Sequence, residues 1–505
     1  MNQNTIQKWM LIFGPVISIM MILFMDLEPG RPEVTRMAAV ALLMAMWWVT
    51  EALPLAATAL LPVALFPLLG IMNGKTVAPI YFNHIIFLFI GGFIMALAME
   101  KWDLHKRIAL FILLRFKLKP ANILLGFMIT TAFLSMWISN TATTMMMVPI
   151  ALAIILQLEG LLGKASVKKY SIGIFLGLAY SASIGGIATI VGTPPNLSFV
   201  RIFNILFPGS PEITFANWFF FAFPLSVCFL IIVWFILSQI FISKKIVFKI
   251  DPKIFKNQYR ELGPMSSEEK IVLTGFLCLI FLWLFRSDIP LGDFVIPGWS
   301  RMFPYASYLN DGTVAITIAL ILFILPSRSQ KGNRIMDWDT ASKLPWNIVL
   351  LFGGGFALAS GFKETGLSNL LGSQLGGVGN LHPVLIVAVI CIFVTFLTEL
   401  TSNTATAEML LPILGGLAIA IKVNPLFLMI PATLSCSFAF MLPVATPPNA
   451  IIFGTNRVTI MDMAKTGIWI NLIGVVLITL LIFSFGNWVF GIDVAHIPDW
   501  MMKGK

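Results

Sequence analysis

Ser139-Asn140-Thr141-Ala142-Thr143 and Ser402-Asn403-Thr404-Ala405-Thr406 are the same five residues met twice. Each copy lies inside a long apolar run, and each is followed six residues on by a proline, Pro149 and Pro412. A second echo comes later in each half: Gly192-Thr193-Pro194-Pro195-Asn196 and Ala445-Thr446-Pro447-Pro448-Asn449. Small polar residues and prolines repeated within apolar helices are the signature of a paired binding site at membrane depth.

The two halves align at one spacing. Ser139 and Ser402 stand 263 residues apart, as do Gly91 and Gly354, Ser135 and Thr398, and Pro149 and Pro412. Only the later Thr-Pro-Pro-Asn pair drifts, to 253. Chance likeness between apolar helices matches Leu, Ile and Val; it does not bring Ser, Asn, Gly and Pro into register.

The surroundings of these motifs set the class. Of 505 residues, 58 % are hydrophobic and 11 % charged, and the mean hydropathy is +0.92. Soluble domains carry about 25 % charged residues, so the chain reads as an all-α polytopic membrane protein. The net charge of +10 need not signal nucleic acid, because basic loops also set membrane topology. Cys228, Cys278, Cys391 and Cys436 sit in apolar stretches without metal or redox spacing and read as small core residues.

Working outward, the hydropathy predicts about 11 transmembrane helices plus two re-entrant hairpins. The first helix (9–25) lacks a small-x-small cleavage site after it and is read as a span within an N-terminal segment, 1–35, outside the repeat. The first repeat covers 36–243, with spans at 36–50, 54–69 and 84–99, an amphipathic surface helix at 100–119, a hairpin at 121–158, a broken helix at 171–207 and a span at 218–242. A basic loop, 244–270, follows and reads as a solvated inner connection. The second repeat, 271–487, has spans at 271–285, 313–325 and 347–362, a hairpin at 383–421, a broken helix at 426–453 and a last span at 467–485. A tail, 488–505, ends the chain. With the N-terminus cytoplasmic and hairpins returning to their own side, most of the 33 Lys and Arg fall inside and the tail lies extracytoplasmic; single-spanning hairpins would put the basic 244–270 loop outside. One period then holds five spans, an odd number. The second copy enters from the opposite face, which is the inverted repeat of many secondary transporters.

At a hairpin tip the second half-helix begins with N–H groups that lack intrahelical partners. Its positive dipole end attracts an anion without any Lys or Arg. Hydroxyls and amides of Ser139, Asn140, Thr141, Ser402, Asn403 and Thr404 would bond carboxylate or sulfate oxygens. The same tips suit a hard cation, through freed carbonyls and side-chain oxygens. Ser135 lies four residues before Ser139, and Thr398 four before Ser402, on the same helix face. Neutral oxygens with no carboxylate favour Na⁺ over a divalent metal, and bound Na⁺ would offset a dianion. A lone Ser-Asn-Thr is more often a cap or interhelical bond, and a lone Pro-Pro a kink; duplication in register turns the reading toward a site. Glu399 and Glu408 have no carboxylate counterparts in the first half and read equally as proton-linked or structural groups. The sequon at Asn196 lies at a membrane break and is discounted.

These motifs, with Trp47-Trp48-Val49-Thr50-Glu51-Ala52-Leu53-Pro54, resemble the divalent-anion/sodium symporter family, the INDY-type sodium-coupled dicarboxylate carriers, over nearly the whole chain. The resemblance implies a homodimer whose protomers pair a scaffold with a mobile transport domain, working as an elevator. It implies one Na⁺ at Ser135, Ser139, Asn140 and Gly192, and a second at Thr398, Thr401 (through its carbonyl), Asn403 and Ala445. Thr193 and Thr446 would join the two tips around the dicarboxylate. The function this implies is Na⁺-coupled symport of a C4-dicarboxylate into the cell across the plasma membrane, with Na⁺ as coupling ion and no cofactor. Sodium-coupled citrate or sulfate carriage and sodium-independent dicarboxylate exchange are the alternatives within the family. An enzyme would need a nucleophile–base or metal constellation, and His84, His105, His382 and His496 stand beside no plausible nucleophile. A channel is the other competing class.

Overall fold

The computed structural model describes residues 3–117, 119–242, 253–291, 294–493 and 497–502. Among them it is helical nearly throughout; a two-stranded ribbon, β1 (Ile289–Leu291) with β2 (Phe294–Ile296), is its only sheet. Among the described residues eight helices are long and apolar enough to cross a membrane, and shorter apolar helices accompany them.

The chain opens with α1 (Gln3–Phe24) and α2 (Pro32–Thr50), which pack together; Trp47 Nε1 donates to Met10 O at 2.9 Å. The expected span at 54–69 is not one helix. It divides into α3 (Leu55–Thr58) and α4 (Leu61–Leu68), because Pro62 has no N–H to give the preceding turn. Tyr81 Oη donates to the Ala59 carbonyl at the break, 2.6 Å. After α5 (Gly74–Val77) come α6 (His84–Lys101), capped by Asn83, and the amphipathic α7 (Leu104–Leu113).

The first tip lies between α8 (Pro120–Ser135) and α9 (Asn140–Leu162); α10 (Lys164–Gly186) follows after Gly163. Tyr170 Oη bonds Pro120 O, Gly177 faces Leu124 and Gly185 faces Ala132, so α8 and α10 run parallel. The end of α10 returns to the start of α9, where Gly186 lies against Asn140. The chain therefore reverses at 136–139. At 16 residues, α8 spans about 24 Å, short of a hydrocarbon core of about 30 Å.

Beyond an unwound stretch at 187–193 come α11 (Pro194–Leu206) and α12 (Phe215–Phe241). Residues 243–252, which open the expected basic loop, lie outside the described residues. In the rest of that loop α13 (Lys253–Glu261) packs on α7 with Phe255 buried, while Lys256, Arg260 and Lys270 are exposed, in keeping with solvated basic side chains. Arg107 of α7 holds it there, pairing with Glu269 at 2.6 Å and donating to the Gly263 and Leu262 carbonyls. Glu269 closes a capping box with Ser266 at the start of α14 (Ser267–Leu284).

The second half follows with α15 (Asp311–Ile324), α16 (Trp338–Ala341), α17 (Trp346–Thr365) and α18 (Leu367–Gln374). Its hairpin arms are α19 (Pro383–Thr398) and α20 (Asn403–Ala420). Then come α21 (Leu426–Ser435), an unwound stretch at 436–446, α22 (Pro447–Gly454), α23 (Ile460–Phe490) and α24 (Asp499–Met502). Trp500 of α24 packs on Phe203 and Phe207, so part of the expected tail is docked on α11.

The halves interlock. The helix after each break packs on the hairpin arm of the other half: α11 on α20, and α22 on α9. Two buried apolar clusters result. The larger runs through α6–α15 and α19–α23; the smaller joins α2–α4 to α17 and α18, with Ala405 and Met409 of α20.

Candidate functional site

Interlocking brings both tips and both breaks to one cavity of about 820 Å³. Ser139, Asn140, Thr141, Gly192 and Thr193 line it from the first half; Thr401, Ser402, Asn403, Thr404, Ala445 and Thr446 line it from the second. Ser135 and Thr398 do not. They are fully buried behind the tips, as the last residues of α8 and α19.

Each of these hydroxyls meets two oxygens. Ser135 Oγ is 2.6 Å from Asn140 Oδ1 and 2.7 Å from the Ala182 carbonyl. Thr398 Oγ1 is 2.8 Å from Asn403 Oδ1 and 3.0 Å from the Cys436 carbonyl. One hydroxyl has one hydrogen, so with Oδ1 turned inward each trio holds more acceptors than donors, an arrangement that a small cation could use. In the first half, Gly186 and Gly192 let the backbone close on Asn140: a methyl on Gly186 would sit 2.7 Å from Asn140 Oδ1, and one on Gly192 would sit 2.5 Å from the Gly186 carbonyl. Ala445 lines the cavity, and its N–H bonds Leu442 O at 3.3 Å. The Thr401 hydroxyl is occupied by Leu397 O (3.0 Å) and Thr406 Oγ1 (2.5 Å), leaving its carbonyl as the group to consider.

The anion side rests on helix ends. Asn140, Asn403, Pro194 and Pro447 begin α9, α20, α11 and α22, and all four line the cavity. Four positive dipole ends therefore face one space. No Lys, Arg or His lines it among the described residues; Glu51, at the left-handed end of α2, is its ionisable group. The matched hydroxyls divide their work. Ser139 Oγ caps α9 through Ala142 N–H (3.2 Å), whereas Ser402 makes no cap on α20. Thr446 Oγ1 caps α22 through Asn449 N–H (3.3 Å), whereas Thr193 makes none on α11.

The breaks are braced by residues to which the sequence reading gave no such role. Asn196 Nδ2 donates to Thr189 O (2.7 Å) and Ile187 O (3.3 Å); Asn449 Nδ2 donates to Leu442 O and Ala439 O, both at 3.0 Å. Their position in both Thr-Pro-Pro-Asn copies was the available signal. Thr189 steadies the first break, donating to Met136 O (2.6 Å) and accepting from Gly192 N–H (3.0 Å). In the second, the Glu399 carboxylate accepts from the Phe440, Met441 and Leu442 N–H groups at 2.7–3.0 Å and from Asn471 Nδ2 at 2.8 Å. Of the two readings held for Glu399, this is the structural one.

Broken helices and paired tips around one cavity, in a polytopic helical chain, define a membrane transporter. Residues 6–492 match the family described as Sodium:sulfate symporter transmembrane region, and the chain belongs to that family. It is 43 % identical over 498 residues to the sodium-dependent dicarboxylate transporter SdcS of Staphylococcus saprophyticus, covering 96 % of this chain and 92 % of the relative. The SdcS of Staphylococcus aureus strain MRSA252 is 43 % identical over 496 residues, with the same coverage. Among solved structures, the YdaH transporter of Alcanivorax borkumensis matches with TM-score 0.57 at 13 % identity, over 89 % of this chain and 98 % of that one. MtrF of Neisseria gonorrhoeae matches with TM-score 0.56 at 14 % identity, over 92 % and 97 %. At such identities the likeness is one of fold.

Proposed function

We propose that this chain is a secondary active transporter that carries a C4-dicarboxylate of the succinate, malate or fumarate type into the cell together with Na⁺. The observation that carries the reading is the pair of matched oxygen trios, Ser135–Asn140–Ala182 and Thr398–Asn403–Cys436, behind tips whose helix ends face one cavity. Na⁺ held by the first trio with Ser139 and Gly192, and by the second with the Thr401 carbonyl and Ala445, supplies positive charge beside the helix ends. The dianion then meets the donors of Asn140, Thr141, Thr193, Ser402, Asn403, Thr404 and Thr446. Coupling follows electrostatically, because each ion lowers the cost of holding the other. The likeness to the SdcS sodium-dependent dicarboxylate transporters supports the dicarboxylate, and the sulfate in the family's description makes sulfate the second candidate anion.

The fold supports an elevator in which the cluster of α2–α4, α17 and α18 belongs to the scaffold and the interlocked tips and breaks to the moving body. Two such protomers form a dimer in this reading, with the N-terminus cytoplasmic and the C-terminal tail outside. The test is uptake of labelled succinate into proteoliposomes under an inward Na⁺ gradient, competed by unlabelled malate, fumarate, citrate and sulfate. Competition by the C4 dianions is expected. Competition by sulfate or citrate alone would replace the substrate, and uptake that needs internal dicarboxylate in place of Na⁺ would make the chain an exchanger.

A further inference from the structure

Glu408 is the acidic side chain that the transport site leaves unused. It lies on α20, five residues past Asn403, and is fully buried. Oε1 accepts from Ser198 Oγ of α11 at 2.5 Å; Oε2 has no hydrogen-bond partner. The carboxyl is pressed against α17 at Gly355, where a single added methyl would overlap Oε2. Its counterpart in the first half, Met145, is 60 % exposed, so the repeat installs an acid here on one side only.

No cation answers this carboxyl among the described residues. From α11, Arg201 pairs with no carboxylate among the described residues, and its Nε has no hydrogen-bond partner; from α17, Lys363 donates to the Ile205 carbonyl at 2.6 Å; from α2, Arg36 donates to Leu69 O. Beyond α19, the Glu399 carboxylate is saturated by the backbone N–H groups of the second break. The Cys436 thiol is the titratable group within electrostatic reach. A bare carboxylate held away from water is as strongly disfavoured as any unpaired intramembrane charge. A Na⁺ ion would need several oxygens, whereas Ser198 supplies one hydroxyl and Gly355 leaves no space on its side.

We propose that Glu408 is a proton-binding site, occupied while α20 is seated against α11 and α17, so that transport by this chain responds to pH through a group separate from the sodium ligands. The proton adds reversibly to the carboxyl and leaves to water when that seat opens. Only the activity arm of the test rests on the dicarboxylate reading above. The first arm is the infrared difference between the purified wild-type chain and Glu408→Gln at neutral pH. A protonated-acid C=O band lost in the variant, and shifted in Ser198→Ala, is expected; loss of an ionised carboxylate band instead overturns the proposal. If Glu408→Gln does not fold, the Ser198→Ala shift decides alone. The second arm is Na⁺-driven uptake of fumarate, which stays a dianion between pH 6 and 8. Wild-type uptake should vary severalfold, with a single-proton limit of about tenfold per pH unit, and Glu408→Gln should be flat. Parallel profiles in the two overturn the proposal. Absence of fumarate uptake in the wild type would count against the dicarboxylate reading, leaving the infrared arm to decide on Glu408.

Discussion

At the residue scale, Asn140 and Asn403 hold matching positions, and the proposed function gives both the same double work. Each begins a helix at the cavity wall, and each turns Oδ1 back to a buried hydroxyl and, through it, to a backbone carbonyl, Ala182 in the last turns of α10 or Cys436 at the start of the second break. In that reading, truncating either removes a cation ligand and an anion donor together, with little loss of packing. Asn140→Ala and Asn403→Ala should each cut Na⁺-driven uptake at least about tenfold, the effect of losing about 1.5–3 kcal/mol of charge-assisted bonding, while the melting temperature stays near wild type. Wild-type uptake in either would remove both assignments. The paired serines should separate. Ser139→Ala should lose about 1 kcal/mol of stability with its cap, whereas Ser402→Ala should raise KM without that loss, because its hydroxyl caps nothing. Thermal melts beside uptake kinetics distinguish the two. These tips were legible in the sequence because Ser, Asn and Thr stand out against apolar neighbours and recur in register. Helical spacing puts Ser135 and Thr398 on one face with Ser139 and Ser402, but each ends its own arm and the chain breaks before the tip serine, so they meet Asn140 and Asn403 across the turn. The division of labour between capping and uncommitted hydroxyls was not legible, since both copies have the same letters and differ only in local geometry.

At the element scale, the two unwound stretches depend on side chains that satisfy backbone groups a helix would have satisfied. Asn196→Ala should leave the Thr189 and Ile187 carbonyls without their donor, at a cost of about 1–3 kcal/mol. Asn449→Ala should do the same to Leu442 and Ala439. Both should melt earlier and transport poorly; a variant that melts earlier yet transports normally would show that break geometry does not set the site. The breaks themselves were readable from Thr-Pro-Pro-Asn, because proline cannot continue the ladder. Their braces Thr189 and Glu399 were not, because neither has a partner at the repeat spacing and each reaches its target through space. The same holds for α13: Arg107 and Glu269 lie 162 residues apart, so the sequence shows a basic loop and the fold shows a docked helix. The division of the expected third span at Pro62 was hidden for another reason: proline in the first turn of a helix is unremarkable in a run of leucines.

At the scale of the whole molecule, long-range ties fix how the parts meet. Lys101, at the end of α6, holds Asp337 ahead of α16 at 2.6 Å, and with the Thr340 N–H it keeps that carboxyl down at about 2. A carboxylate held below its unfolded value of 3.8 stabilises the fold above that value and loses the contribution as pH falls through about 2. Asp337 is 42 % exposed, so water screens the pair and the effect is small. Asp337→Asn should therefore melt slightly below wild type at neutral pH, with the difference closing as pH drops from about 4 toward 2. Arg457 pairs with Glu159 across the halves, and the Glu408–Ser198 bond crosses them as well. Interlocking of this kind turns two weak polar patches, distant in sequence, into one site. The repeat and its inversion could be argued from spacing and span parity. That α11 seats on α20 and α22 on α9 could not, because it depends on the packing of whole helices.

The central claim is that the paired tips bind Na⁺ and a dianion together, and the energetics of uptake test it most directly. In proteoliposomes with labelled succinate at equal concentration on both sides, an inward Na⁺ gradient should drive net accumulation. That accumulation should vanish when Na⁺ is equalised and in Asn140→Ala and Asn403→Ala. Accumulation that persists without a Na⁺ gradient, or in either variant, would contradict it.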